Sequence, residues 1–174
     1  MQSDSLTLYK LIILYLLDKV DFPLNNAQIS NIILDKDYTN YFSIQQSLSE
    51  LLEADFCTVE SNGHSSLYLI TDAGRETLSF FGYMISSAIQ NDLLDYLRKN
   101  KYDLRDESST RSEYFESKKG EYQVRLRVLE KEDSIIDLSI AVPTEEDATK
   151  ISLNWRRKSQ EIYAYVLNTL LNEN

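Results

Sequence analysis

The stretch from Thr39 to Leu78 constrains the fold more than any other part of the chain. Ile44, Leu48, Leu51 and Leu52 recur at helical spacing, with Phe42, Gln45, Gln46, Ser49 and Glu53 on the opposite side. Thr39 stands where a helix cap is expected, and Asp55-Phe56 ends the run. Cys57 to Glu60 then reads as a strand, Asn62-Gly63 as a tight turn, and Leu67 to Ile70 as the returning strand. Thr71 caps another helix, opened by Asp72-Ala73-Gly74, with Leu78, Phe81 and Met84 expected to face inward. The apolar sides of helix, hairpin and helix must share one core, which leaves few arrangements.

Upstream, Leu8, Leu11, Ile12, Tyr15 and Leu16 form a helical stripe that Ile13, Leu14 and Leu17 widen. A helix apolar on most sides is buried on most sides, in a core or against a second copy. The uninterrupted run Leu11 to Leu17 is far short of the roughly 20 residues needed to cross a bilayer, and no basic cluster precedes it. Neither a signal peptide nor a membrane partner is expected. Asp21-Phe22-Pro23 breaks the helix. Asn25 or Asn26 caps the next, with Gln28 in capping-box reach, Ile29, Ile32 and Ile33 on its stripe, and an end near Asp35-Lys36-Asp37.

Downstream, the Thr71 helix is expected to bend near Gly82 and continue to about Lys99, carrying Ile85, Ala88, Ile89, Leu93, Tyr96 and Leu97 inward. Lys101 to Lys119 is polar and marks a boundary, with Ser112 to Glu116 as a weak edge strand. Tyr122, Val124, Leu126 and Val128 then alternate with Gln123, Arg125 and Arg127. Ile136, Leu138, Ile140 and Val142 alternate with Asp137 and Ser139 beyond a Glu130–Asp133 hairpin, and Arg125 and Arg127 can reach Asp137 across the strands. Thr144 caps a last helix, running to about Leu171 with Ala148, Ile151, Trp155, Ile162, Val166 and Leu170 on one stripe. At ~1.5 Å per residue it is about 40 Å long, more than a small sheet needs, and the overhang points to a partner chain. The expected fold is α+β, with an N-terminal winged helix-turn-helix (1–82), a linking helix (83–100) and a C-terminal small antiparallel sheet packed on a long helix (101–174), the last serving dimerisation or an effector.

Leu48-Ser49-Glu50-Leu51-Leu52, Phe56, and Tyr68-Leu69-Ile70-Thr71-Asp72-Ala73-Gly74-Arg75-Glu76-Thr77-Leu78 resemble bacterial winged-helix transcriptional regulators of the PadR-like and MarR-like groups. Tyr38 to Phe42 with Gln45-Gln46 is similar to an uncharacterised winged-helix family with an extra C-terminal α+β domain. The resemblance covers residues 4–82. It implies a transcriptional regulator that binds duplex DNA through helix 40–54 and the 61–66 wing; the over-long last helix and the all-round apolar first helix add the expectation of a homodimer.

In a helix-turn-helix the second helix enters the major groove, and its N-terminal residues meet base edges. Thr39, Asn40, Tyr41, Ser43, Gln45, Gln46 and Ser49, with Asn62 and His64 of the wing, are therefore the candidate DNA-binding residues. Their bland reading is a solvated polar face. Charge opposes the DNA reading: the chain is −10 overall, and its first eighty residues offer Lys10, Lys19, Lys36 and Arg75 against eleven carboxylates. Phosphate neutralisation supplies most non-specific DNA affinity. The alternative is a protein-protein interaction module that binds no DNA directly, its acidic face meeting a basic partner. Cys57, the single cysteine, reads as a reduced, part-buried thiol on a strand, which favours the cytoplasm. With one histidine and no phosphate loop, nucleophile elbow or metal spacing, no enzyme, metal or cofactor is expected.

Overall fold

The computed structural model describes residues 2–61, 65–130 and 133–172. The fold is α+β, and the chain divides into two compact units: residues 2–61 with 65–108, and the residues from Ser109 onward. No helix among the described residues is long and apolar enough to cross a membrane.

The first unit is built round α1 (Gln2–Asp18). Leu11 to Leu17 are all buried, so this helix is enclosed by its own chain rather than held open for a second copy. β1 (Leu24–Asn25) follows, then α2 (Asn26–Asp35), capped by Asn25 with Gln28 completing a reciprocal capping box. Buried Gln28 also donates from Nε2 to the Leu104 carbonyl (3.1 Å) and to Glu107 Oε2 (3.0 Å). α3 (Tyr41–Glu53) leads into β2 (Cys57–Ser61) and β3 (Ser66–Ile70). The sheet order is β1-β3-β2, all antiparallel, which completes a winged helix-turn-helix. The two-residue β1 carries no periodic signal and is absent from the expected elements. The Asn62-Gly63 turn lies outside the described residues.

Two contacts hold α3, the hairpin and the next helix together. α3 ends in a Schellman turn: Phe56 N donates to the Leu51 carbonyl (3.0 Å) and Asp55 N to that of Leu52 (3.1 Å), with Asp55 left-handed at φ 57°. α4 (Asp72–Phe81) starts with Thr71, which accepts from Gly74 N and donates to the Asp55 carbonyl at 2.7 Å. Gly74 sits so close to the Phe56 carbonyl that a Cβ there would overlap the oxygen and stand 2.9 Å from Ile70 Cγ1. The close approach explains the glycine; its conformational freedom does not.

The expected bend near Gly82 is a break. A 3-10 turn spans Gly82–Met84, Ile85 is extended, and α5 runs Ser87–Ser109, beyond the predicted end and through the polar stretch. Phe81, the last residue of α4, is 49% exposed rather than inward; beyond it the tighter turn ends the 3.6-residue rhythm, so Met84 is 42% exposed and Ile85 (2%) fills the core instead. Leu93, Leu97 and Leu104 carry the α5 stripe into the core, whereas Ala88 is exposed.

The second unit is a meander, β4 (Thr110–Lys118), β5 (Glu121–Glu130) and β6 (Asp133–Val142), with α6 (Glu145–Leu171) packed on one face. Val124, Leu126, Val128, Ile136, Ala148 and Trp155 form its core, and Trp155 Nε1 donates to the Arg127 carbonyl at 3.0 Å. On the outer face Asp137 takes both bonds of Arg125 (2.7 and 3.1 Å), which holds its carboxyl below the usual range. Arg127, opposite Asp137 in the register, adds its charge to the same effect while it faces Glu113 at 3.5 Å. Ile140, expected on the core face, is 39% exposed because α6 lies mainly over β4 and β5.

Gly74→Ala is expected to cost about 2–3 kcal/mol, because the clash is with backbone and the close-packed interior cannot absorb it. Asp55→Gly is expected to add ~1 kcal/mol by removing the left-handed penalty. Urea denaturation of both variants checks the pair; similar midpoints for the two would remove the Phe56–Gly74 approach as the constraint.

Candidate functional site

α3 packs inward through Ile44, Ser47, Leu48 and Leu51. Its outer side exposes Tyr41, Phe42, Gln46, Ser49 and Glu53. The cap is Asn40 rather than Thr39: in extended geometry (φ −109°, ψ 165°) its side chain accepts from Ser43 N at 3.0 Å, while Ile44 N donates to its carbonyl. Thr39 lies one residue too early for that bond.

The candidate residues divide by what their side chains touch. Gln45 points at α2, in a reciprocal amide pair with Asn26 (2.7 and 2.8 Å) and a 3.3 Å bond to Ser30 Oγ. It is part of the helix–helix seam and does not face outward. Gln46 Nε2 donates to Glu50 Oε1 at 3.0 Å, and Lys10 Nζ donates to Glu50 Oε2 at 2.9 Å. The Lys10 bond, helped by Gln46, holds the Glu50 carboxyl below its ordinary pKa. Ser49 Oγ donates to Glu53 Oε1 at 3.4 Å. Thr39, Asn40, Ser43 and Gln46 meet Lys10 and Glu50 along an open groove of about 790 Å³ between α1 and α3. Asn62 and His64 lie outside the described residues.

Two further features belong to this surface. Tyr41 and Phe42 follow the cap at 52% and 83% exposure, with ring centroids 6.3 Å apart and edge to face. Lys10 sits forty positions from Glu50, on another helix, and nothing near α3 in the sequence signals it. Across from α3, the α2–α3 connection is anchored by Tyr38, which donates to Asp92 Oδ2 on α5 at 3.1 Å. Burial, then the Asp92 bond, pushes the Tyr38 phenol up to about 12.

The electrostatics are acidic. Glu50, Glu53 and Asp55 stand on or just after α3, Glu60 is exposed on β2, and α3 holds no Lys or Arg. The charge of Lys10 is matched by Glu50. Cys57 is buried on β2, and burial pushes its thiol from 9.0 up to about 11. Among the described residues no group of three His, Cys, Asp or Glu side chains is placed to hold a metal ion.

The chain belongs to the family described as "Domain of unknown function (DUF4364)", which matches residues 9–170. No curated protein and no solved structure matches it.

Gln45→Ala is expected to cost about 1–2 kcal/mol, because it strands the buried side of the Asn26 amide, whereas Gln46→Ala should stay within ~0.5 kcal/mol. Equal urea midpoints for the two variants would contradict the seam assignment. The neutral Cys57 thiol contributes stability that is complete below the unfolded pKa of 9.0 and is lost as pH rises through about 11. At pH 8 the native thiol should react with iodoacetamide about 100-fold more slowly than the urea-unfolded chain, from its thiolate fraction alone; equal rates would refute its burial.

Proposed function

We propose that this member of the DUF4364 family is a non-enzymatic, cytoplasmic winged-helix regulator that works by docking a protein partner through α3. The observation that carries this reading is the pair Tyr41 and Phe42, exposed at the start of a helix whose other outward groups are neutral or acidic. Exposed aromatic rings are the anchors that dominate protein interfaces. Glu53, exposed on the same side of α3, suits a partner that brings cations to the rim, where opposite charge speeds encounter. The thiol of Cys57, reduced and buried, fits the cytoplasm.

A second reading, duplex-DNA recognition, is favoured by the position of α3 as the second helix of the helix-turn-helix. Magnitudes weigh against it. About six to ten phosphate contacts sustain ordinary operator binding. Here α3 supplies no cation, and the lysine beside it is already paired with Glu50. Base contacts from Asn40, Tyr41 and Ser49 would have to overcome a repulsive field.

Benzoylphenylalanine placed at Phe42 and irradiated in cells separates the two. A protein adduct, lost when Tyr41→Ala is added, is the expected outcome. A nucleic-acid adduct at Phe42, together with duplex binding in vitro at low salt, would replace docking with DNA recognition. Phe42→Ala should weaken the isolated partner complex at least ~10-fold, as truncating an aromatic anchor does.

A further inference from the structure

We infer that the C-terminal third of α6 is a self-association surface, on which two copies of the chain pair their α6 tails antiparallel. The inference stands apart from the docking role of α3. The inward face of α6 runs Ala148, Ser152, Trp155 and Ser159, in alternating steps of four and three, and all four are buried on the sheet. Continued by steps of three, four and four, which at about 100° per residue stay on that face, it runs Ile162, Val166 and Leu170. Ile162 still leans on the core of the unit, but the helix then outruns it: Leu170 and Leu171 are 77% and 76% exposed. The stripe that covers the sheet therefore continues past the sheet into solvent.

Charge identifies the occupant. Ile162 to Leu171 contains no Asp, Glu, Lys or Arg, in a chain that is 26% charged and carries a formal −10. Two copies repel wherever their carboxylates meet, and this tail is a surface they can share without that cost. A basic or acidic partner would find nothing to pair with on it. The direction follows from the helix ends. α6 has no basic residue in its last turn, so the partial negative charge of its C-terminus is unmatched within the helix. Antiparallel pairing about Val166 keeps the two C-terminal ends apart and holds the Arg156-Arg157-Lys158 clusters at opposite ends of the contact. Parallel pairing would instead set Arg156-Arg157-Lys158 against its own copy. The family match extends to residue 170 and so includes the tail.

Ten residues per copy, at about 30–40 Å² each, bury roughly 600–800 Å² in total, so the pairing is a weak, transient one whose dissociation constant lies in the upper micromolar range. Light scattering of the full chain from about 1 to 200 µM should move from the 20.2 kDa chain mass toward twice that value. Leu170→Glu, at an exposed site, should leave the melting temperature unchanged and hold the mass at one chain. Leu153→Glu, exposed on α6 but off the stripe, should still dimerise. Single cysteines introduced at Ile162, Val166 and Leu170 fix direction: Val166→Cys should oxidise to a self-disulfide fastest, while buried Cys57 stays silent. A monomer throughout the range overturns the inference, as does a dimer that survives Leu170→Glu. Equal cross-linking at all three positions overturns the antiparallel arrangement.

Discussion

The first unit depends on the enclosure of α1. Leu11 to Leu17 are buried on every side of the helix, so the elements round it must supply apolar surface from all directions at once. α3, α4 and β3 meet that demand, and each is placed by it. Burying a side chain of this size is worth about 1.5–3 kcal/mol, so this short run outweighs any cap or surface pair in the unit. The outer face of α3 is what remains once its inner face has been committed to α1. Its exposure is a by-product of the core, and its chemistry is free to serve a partner.

Where local chemistry set the outcome, the sequence could be read. The Asn25–Gln28 capping box, Thr71, Thr144 and the alternation of β5 are each decided within a few residues, and they stand where the residues indicate. Expectations failed where distant groups decided. Gln45 and Gln46 are adjacent and identical in type. Asn26 claims one and Glu50 the other, because a helix turns about 100° per residue, and no local pattern says which neighbour lies on which side. Leu78, Phe81 and Met84 step by three, but the chain leaves the α-helix at Gly82, and for Met84 the spacing loses its meaning. The two residues of β1 are paired only because β3 lies beside them.

The candidate surface was legible in outline for the same reason. An amphipathic helix announces its outer face, and the absence of Lys and Arg from α3 needs no structure to be seen. Lys10 and its bond to Glu50 are long-range, and they change the electrostatic balance most, since the lysine beside α3 is already paired. The helical spacing already sets Phe42 opposite the apolar stripe; the folded chain adds that Tyr41 stands edge to face beside it, with both rings exposed.

Gln28 does more than complete a helix cap. Glutamate and glutamine serve equally well as the third residue of a capping box, since each offers an oxygen to the cap backbone. At this position they are not interchangeable. The Gln28 amide nitrogen is turned to two acceptors, the Leu104 carbonyl and the Glu107 carboxylate, near the end of α5. A carboxylate would keep the oxygen and lose both donors, and it would set one anion against another inside the fold. The amide thus couples the first turn of one helix to the last turns of another seventy-six residues away. A substitution table built on helix propensity alone would grade the exchange as silent; the fold would register it as the loss of a joint.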